Sequence, residues 1–269
     1  MLNIGTMESL TRVGFAARGI IYFLIGYLAL RTGRTEDGSG ILDYLNSGAG
    51  KLLLGLMALG LLAYGLWRLS EAAIDSEGHG ADAKGMGVRA GGAISGLIHL
   101  GLGFYAASLA FGGGRGGSSG GGTQEGAATA LSFPGGQVAL TLVAAGLVVT
   151  AFVQFMKAFR AGFLKHLDPQ AARKSWVKAI GRAGYAARGV VFLIMGWFLW
   201  RSAQQSNAAE AGDMGTALAS LPSTLQLIVA AGLLLFGLFS MVEAIYRRIT
   251  DPHVLERLGS TARRATSGR

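Results

Sequence analysis

Four charged residues stand where charge is costly. Arg18 and Arg188 lie within apolar stretches, each six residues inside another arginine, Arg12 and Arg182. In a helix that is about 9 Å deeper, at ~1.5 Å per residue. Glu71 and Glu243 occupy equivalent places near the ends of two other apolar stretches. An ionisable group in such a segment faces a bundle interior, water or a partner. The chemistry open to these side chains is ion pairing or a charged gate. A third, related part of the chain has Ser95 and Lys157 at the matching places. Arginine and glutamate are thus lost together. This predicts the pairs Arg18–Glu71 and Arg188–Glu243, each within one unit. Lys157 is then free to seek Glu71 or Glu243, closing a mixed-charge ring that is either a gate or a clasp. Independent snorkelling of the arginines to lipid phosphates is equally open.

The uncharged polar side chains in the apolar stretches are few. Ser95, His99, Thr150 and Gln154 are the candidates to line a polar pathway, with Thr141 beside them. A histidine in a span can relay protons or bind a ligand. A lone one more often hydrogen-bonds to a neighbouring helix, and that reading is preferred for His99. His79, His166 and His253 fall in loops or tails, so two intramembrane histidines cannot clasp a haem within the chain. Cysteine is absent, which excludes disulfides and thiolate sites. No His-Glu-x-x-His metal motif, Gly-x-Ser-x-Gly elbow or pair of central carboxylates occurs. No catalytic residue, metal or cofactor is therefore expected, and enzyme activity is disfavoured.

The elements that must position these residues follow from the hydropathy pattern. Of 269 residues, 51% are hydrophobic and 14% charged, against about 25% charged in soluble domains. The apolar residues fall in six blocks: 12–30, 52–72, 91–111, 138–159, 184–200 and 225–246. Each is of a length to cross a ~30 Å hydrocarbon core as a helix, and none alternates as a barrel strand does. The first block is too long for a cleavable signal and lacks a small-residue cleavage pattern. The expectation is an all-α integral membrane protein with six transmembrane helices. The net charge is +9, and its distribution speaks to topology. One side of the membrane receives 19 of the 24 Lys and Arg residues, leaving Arg31, Arg34, Lys51, Arg115 and Arg201 for the other. The positive-inside rule then places both termini in the cytoplasm, with the chain multi-pass in a cytoplasmic (inner) membrane. The basic stretch from Lys157 to Arg188 has no aromatic or motif context for nucleic acid. It fits anionic lipid headgroups instead.

Internal repeats organise the six spans. Arg12-Val-Gly-Phe-Ala-Ala-Arg-Gly recurs as Arg182-Ala-Gly-Tyr-Ala-Ala-Arg-Gly at an offset of 170, and as a weaker copy from Arg89 at an offset of 77. In the even spans Gly60, Gly146 and Gly232 are spaced by 86. Repeats run over about 12–75, 89–163 and 182–249, followed by a basic tail, 250–269. Two helices per repeat make the repeats parallel, related by an axis along the membrane normal. The prediction is a bundle with pseudo-threefold symmetry. Glycines seven apart, Gly19/Gly26, Gly96/Gly103 and Gly189/Gly196, are predicted to pack helices closely, as are Gly60, Gly146 and Gly232. Before each even span comes a short amphipathic segment near Tyr44, Ser132 or Ser220, expected at the outer interface as a turn or short helix. The Gly/Ser-rich run 112–122 carries the extra length of the second repeat and reads as a flexible loop.

These features resemble a bacterial membrane family, domain of unknown function 1206. The resemblance rests on Ala17-Arg18-Gly19, Ala187-Arg188-Gly189, the three outer segments and Gly60, Gly146 and Gly232, and it covers about 12–248. Ser95 departs from the pattern at the place of the arginine. The family implies the fold and no activity. The preferred function is a structural, lipid-binding or oligomeric interaction module, with membrane lipids as partners and homo-oligomerisation open to it. The alternative is a small-solute or ion transporter with an axial pathway between the repeats.

Overall fold

The computed structural model describes residues 4–46, 50–75, 80–112 and 121–247. Among them six long helices are apolar enough to span a membrane. They are α1 (Ile4–Thr32), α3 (Gly50–Ile74), α4 (Ala83–Ala110), α6 (Gly136–Arg160), α8 (Ser175–Gln205) and α10 (Ser223–Tyr246). Several run beyond their apolar blocks: α4 starts at Ala83, where Asp82 accepts from the Gly85 N–H. Such a cap satisfies a donor that hydrocarbon would leave bare. α8 begins at Ser175, about two turns before Arg182, with Val177 buried in its first turn.

Each even span is preceded by a short helix, as the outer segments suggested: α2 (Gly38–Leu45), α5 (Gly121–Leu131) and α9 (Met214–Ala219). At 11 residues the longest reaches about 16 Å, too short to cross. Asp37 caps α2 through the Gly40 N–H, and Asp213 caps α9 through the Thr216 N–H. After α5 the chain turns at Gly135, whose φ of +82° suits glycine and few other residues. Gly121 and Gly122 belong to α5, so that end of the glycine-rich run is helical rather than loop. Residues 113–120, with most of that run, and the tail 250–269 lie outside the described residues. A short helix α7 (Pro169–Ala172) links α6 to α8, and the Asp168 N–H donates to Tyr246 O at the end of α10.

The six spans form an open ring in the order α4–α3–α1–α10–α8–α6. The most extensive contacts are α3 with α4, α6 with α8 and α1 with α10, and these join different repeats rather than the two helices of one repeat. Within repeats, α1 packs on α3 and α8 on α10, while α4 and α6 do not pack along their length. Lipid gives helices no hydrophobic reason to associate, so backbone fit decides which faces meet. An added Cβ on Gly26 would stand 2.6 Å from Ala230 O and 2.5 Å from Leu234 N. Gly196 faces Ala144 O and Val148 N, and Gly103 faces Leu62 N, in the same register. Gly19, Gly96 and Gly189 repeat the pattern against Met241, Leu69 and Phe155. Gly60 and Gly232 sit on Ala17 and Ala187, within their repeats. Gly146 breaks the expectation: nothing lies within 4 Å of where its Cβ would be. Its counterpart contact would need α4, but there Ile94 replaces the small Ala17 and Ala187 and is itself exposed.

The half of the bundle nearer the short helices is packed with apolar side chains. Ile25, Leu28, Leu54, Leu61, Ala106, Val191 and Leu233 belong to one buried cluster. Ile41 and Leu42 of α2 and Leu218 of α9 close it at that end. Ser95, His99 and Gln154 lie toward the other half, whereas Thr141 stands near the start of α6.

Candidate functional site

Arg18 is the centre of the buried charge. It is 8% exposed, and its Nη2 donates to Glu243 Oε2 at 2.5 Å. Nη2 and Nε also donate to Ser240 Oγ, at 3.1 and 3.3 Å, and Nη1 donates to Tyr64 Oη at 3.1 Å. Phe15, Tyr64 and Phe236 lie against its guanidinium, with ring centroids 4.4, 5.6 and 5.0 Å from Cζ. Glu243, 2% exposed, takes a second arginine: Arg247 Nη1 donates to its Oε1 at 3.3 Å. A carboxylate satisfied on both oxygens by arginines can remain ionised away from water.

The carboxylate partner of Arg18 is therefore Glu243 of the third repeat, where Glu71 of its own repeat was expected. The reason is the packing order. Gly19, Gly26 and Gly237 let α1 and α10 approach more closely than α1 and α3, so Arg18 points at α10. Glu71 is fully buried and pairs instead with Arg68, one turn away at 3.2 Å. Arg188 does not pair with Glu243, whose oxygens are taken. Its guanidinium rests among Phe236, Phe192 and Tyr22, at 4.5, 5.0 and 5.2 Å. Lys157 reaches no carboxylate, and its Nζ lies 5.6 Å from the centre of the buried Tyr185 ring. Among the described residues the ion pairs run Arg18–Glu243–Arg247 and Arg68–Glu71, and none of them passes through Lys157 as the expected mixed-charge ring does. Arg188 and Lys157 stand apart from both.

The polar candidates fare differently from one another. His99 Nδ1 sits 2.7 Å from Ser95 O on its own helix, and its ring lies 4.6 Å from that of Tyr64. Thr150 and Thr141 donate to Gly146 O and Gln137 O, each one turn back. Such back-bonding satisfies a hydroxyl without a pathway. Gln154 is 6% exposed, and its Oε1 has no hydrogen-bond partner. His99 and Gln154 belong to the charged half, and Ser95 supplies the carbonyl that holds His99. Thr150 is not drawn into this group.

Sequence reasoning missed Arg68, Ser240 and Arg247. The repeat held the signal for two of them. Arg68, Gln154 and Ser240 are spaced by 86, each three residues before Glu71, Lys157 or Glu243. That position carries a polar side chain in each repeat; Arg68 bonds to Glu71 and Ser240 accepts from Arg18.

Comparison with known proteins agrees with this architecture. The profile of the family described as Domain of Unknown Function (DUF1206) matches residues 13–75, 90–161 and 183–247. A curated Bacillus subtilis (strain 168) protein described as "Uncharacterized protein YxxB" is 35% identical over 252 residues, which is 89% of this chain and 90% of that protein. No solved structure matches. With three matches that together span most of its length, and each falling on one two-helix repeat, the chain belongs to the DUF1206 family.

Proposed function

We propose that this protein is a structural, lipid-binding module of the bacterial cytoplasmic membrane and not a conduit. The observation that carries the reading is the packed apolar half of the bundle, where Ile25, Leu61, Val191 and Leu233 are buried in one cluster. A solute pathway needs polar lining along its length. Here the buried ion pairs of the long helices, Arg18–Glu243 and Arg68–Glu71, lie in one half, and the other half is packed with apolar side chains. The partition of 19 of 24 basic residues supports placing both termini, and hence the charged half, on the cytoplasmic side. The recurring glycine register at α3/α4, α6/α8 and α1/α10 supports a pseudo-threefold relation among the repeats. Membrane lipids are the partners this reading names; self-association is the other use of the same faces.

Reconstitution tests the reading. Purified protein in liposomes should leave trapped ions and small zwitterions retained as in protein-free vesicles. The same protein, stripped with detergent, should still carry lipid by native mass spectrometry. Protein-dependent release of a trapped solute would instead establish the transporter alternative.

A further inference from the structure

The three inter-repeat interfaces share one register, and this shows what is missing from one of them. At α1/α10, Arg18 meets Ser240 and Glu243. The same step of 86 residues back along the even helix, and 170 forward along the odd one, brings Arg188 opposite Gln154 and Lys157 at α6/α8. The glycine contacts verify the register, since Gly26 on Ala230 and Leu234 corresponds to Gly196 on Ala144 and Val148. Where Arg18 has a carboxylate, Arg188 has a lysine. Lys157 lies within electrostatic range of Arg188, Arg68, Arg18 and Glu243, and His99 of α4 within range of the same three arginines. Gln154, more than nine-tenths buried beside Lys157, keeps Oε1 unpartnered, and Arg188 keeps Nε unpartnered. Two cations and an amide thus converge where the acid within range, Glu243, is already held by Arg18 and Arg247.

The adjoining seam is apolar. In the first and third repeats Gly14 packs on Tyr64 and Gly184 on Phe236; the second-repeat counterparts, Gly91 and Thr150, do not meet. Val149 and Val153 lie with Gly146 on one face of α6, and Lys157 follows one turn later. Across the seam Ile94 and Ile98 of α4 are exposed. An apolar groove that ends in cations close to the membrane surface matches an amphiphile with a negative head.

We propose, building on the lipid-binding reading above, that the α4/α6 seam holds one anionic phospholipid. Its phosphate lies between Lys157, Arg188 and the Gln154 amide, and one acyl chain lies along Gly146, Val149 and Val153. The phosphate supplies the negative charge that Glu243 supplies to Arg18. Gln154 donates to it through Nε2, which leaves Oε1 to a headgroup hydroxyl.

The test uses the full chain in nanodiscs of dioleoyl phosphatidylglycerol or dioleoyl phosphatidylcholine, followed by detergent extraction and native mass spectrometry of retained lipid. The wild type should retain one phosphatidylglycerol in preference to phosphatidylcholine. Lys157→Glu, which restores the carboxylate of the other repeats, should reduce that preference at least about fivefold, the effect of one basic residue near an anionic surface. It should do so with no loss of thermal stability, which separates lost binding from lost folding. Gly146→Phe, at a position with open space around it, should reduce retention of both lipids. Lys178→Glu, in the exposed first turn of α8, should change neither. Equal retention of the two lipids by wild type and Lys157→Glu overturns the site while leaving the broader lipid-binding reading intact; no retained lipid at all overturns both. Stabilisation by inorganic phosphate equal to that by phosphatidylglycerol would make the ligand a free anion. A dimer mass abolished by Gly146→Phe, with lipid retention unchanged, would assign the seam to a second copy. Either result overturns the proposal.

Discussion

The pairing of Arg18 with Glu243, and not with Glu71, gives the sharpest test of the structure. Glu243→Gln removes the charge that faces Arg18 at 2.5 Å and Arg247 at 3.3 Å, in a site where Glu243 is 2% exposed. Breaking a buried ion pair by removing one partner costs about 3–5 kcal/mol. Arg18 keeps its bonds to Ser240 and Tyr64 and three aromatic faces, and glutamine keeps one acceptor. Ring contacts of this kind contribute about 0.5–2 kcal/mol each, so the loss belongs at the lower end, about 3 kcal/mol. Removing Arg18 as well relieves the unpaired cation. Arg18→Gln with Glu243→Gln should therefore show a coupling of about 1.5–3 kcal/mol, well above the ~0.5 kcal/mol scatter of independent sites. Arg18→Gln with Glu71→Gln should stay within that scatter. Reversible unfolding in mixed detergent micelles, read by tryptophan fluorescence, measures all five variants. Additive losses at Glu243, or equal coupling to Glu71, would refute the arrangement.

Glycine substitutions should divide by contact. Gly26→Ala pushes a methyl against the backbone of Leu234 and should destabilise by more than about 2 kcal/mol, whereas Gly146→Ala meets nothing and should gain up to about 1 kcal/mol of helix propensity, both by the same unfolding assay. The cap of α2 should respond to pH. Burial raises the Asp37 carboxyl above its ordinary range, against the opposing hydrogen bonds from Gly40 and Ser39 and with the charges of Asp213 and Glu36 adding to the rise. The folded protein therefore holds that proton more tightly than the unfolded chain, and stability is lost as pH rises from about 4 through the raised value. Asp37→Asn keeps a capping side chain without the charge. Its melting temperature relative to wild type should increase with pH across that window; a constant difference would contradict the assignment. Finally, single cysteines at Ser132 and Lys174, in a chain that has none, should react with impermeant maleimide from opposite sides of the membrane.

Six apolar blocks, the recurring glycines and the short capped segments determined the helices and their order in the membrane. This was legible because each feature is local: span length, hydropathy and an Asp cap act within one turn or one crossing. The repeat offsets carried further, placing the charged residues at matching depths. Which helix each charge would face was not local. The joint loss of Arg and Glu from the second repeat points Arg18 to Glu71 of its own repeat, but the backbone approach of Gly19 and Gly26 to α10 decides the contact. The open seam had a trace in the sequence, the change from Ala17 and Ala187 to Ile94 and from Glu to Lys157. One isoleucine does not by itself keep two helices apart. The separation follows from the ring as a whole, in which α4 and α6 are each committed to a tighter glycine-lined neighbour, α3 and α8. Where inter-repeat packing is stronger than intra-repeat packing, a weak intra-repeat contact is the one that opens. That competition between faces exists only once the helices are assembled.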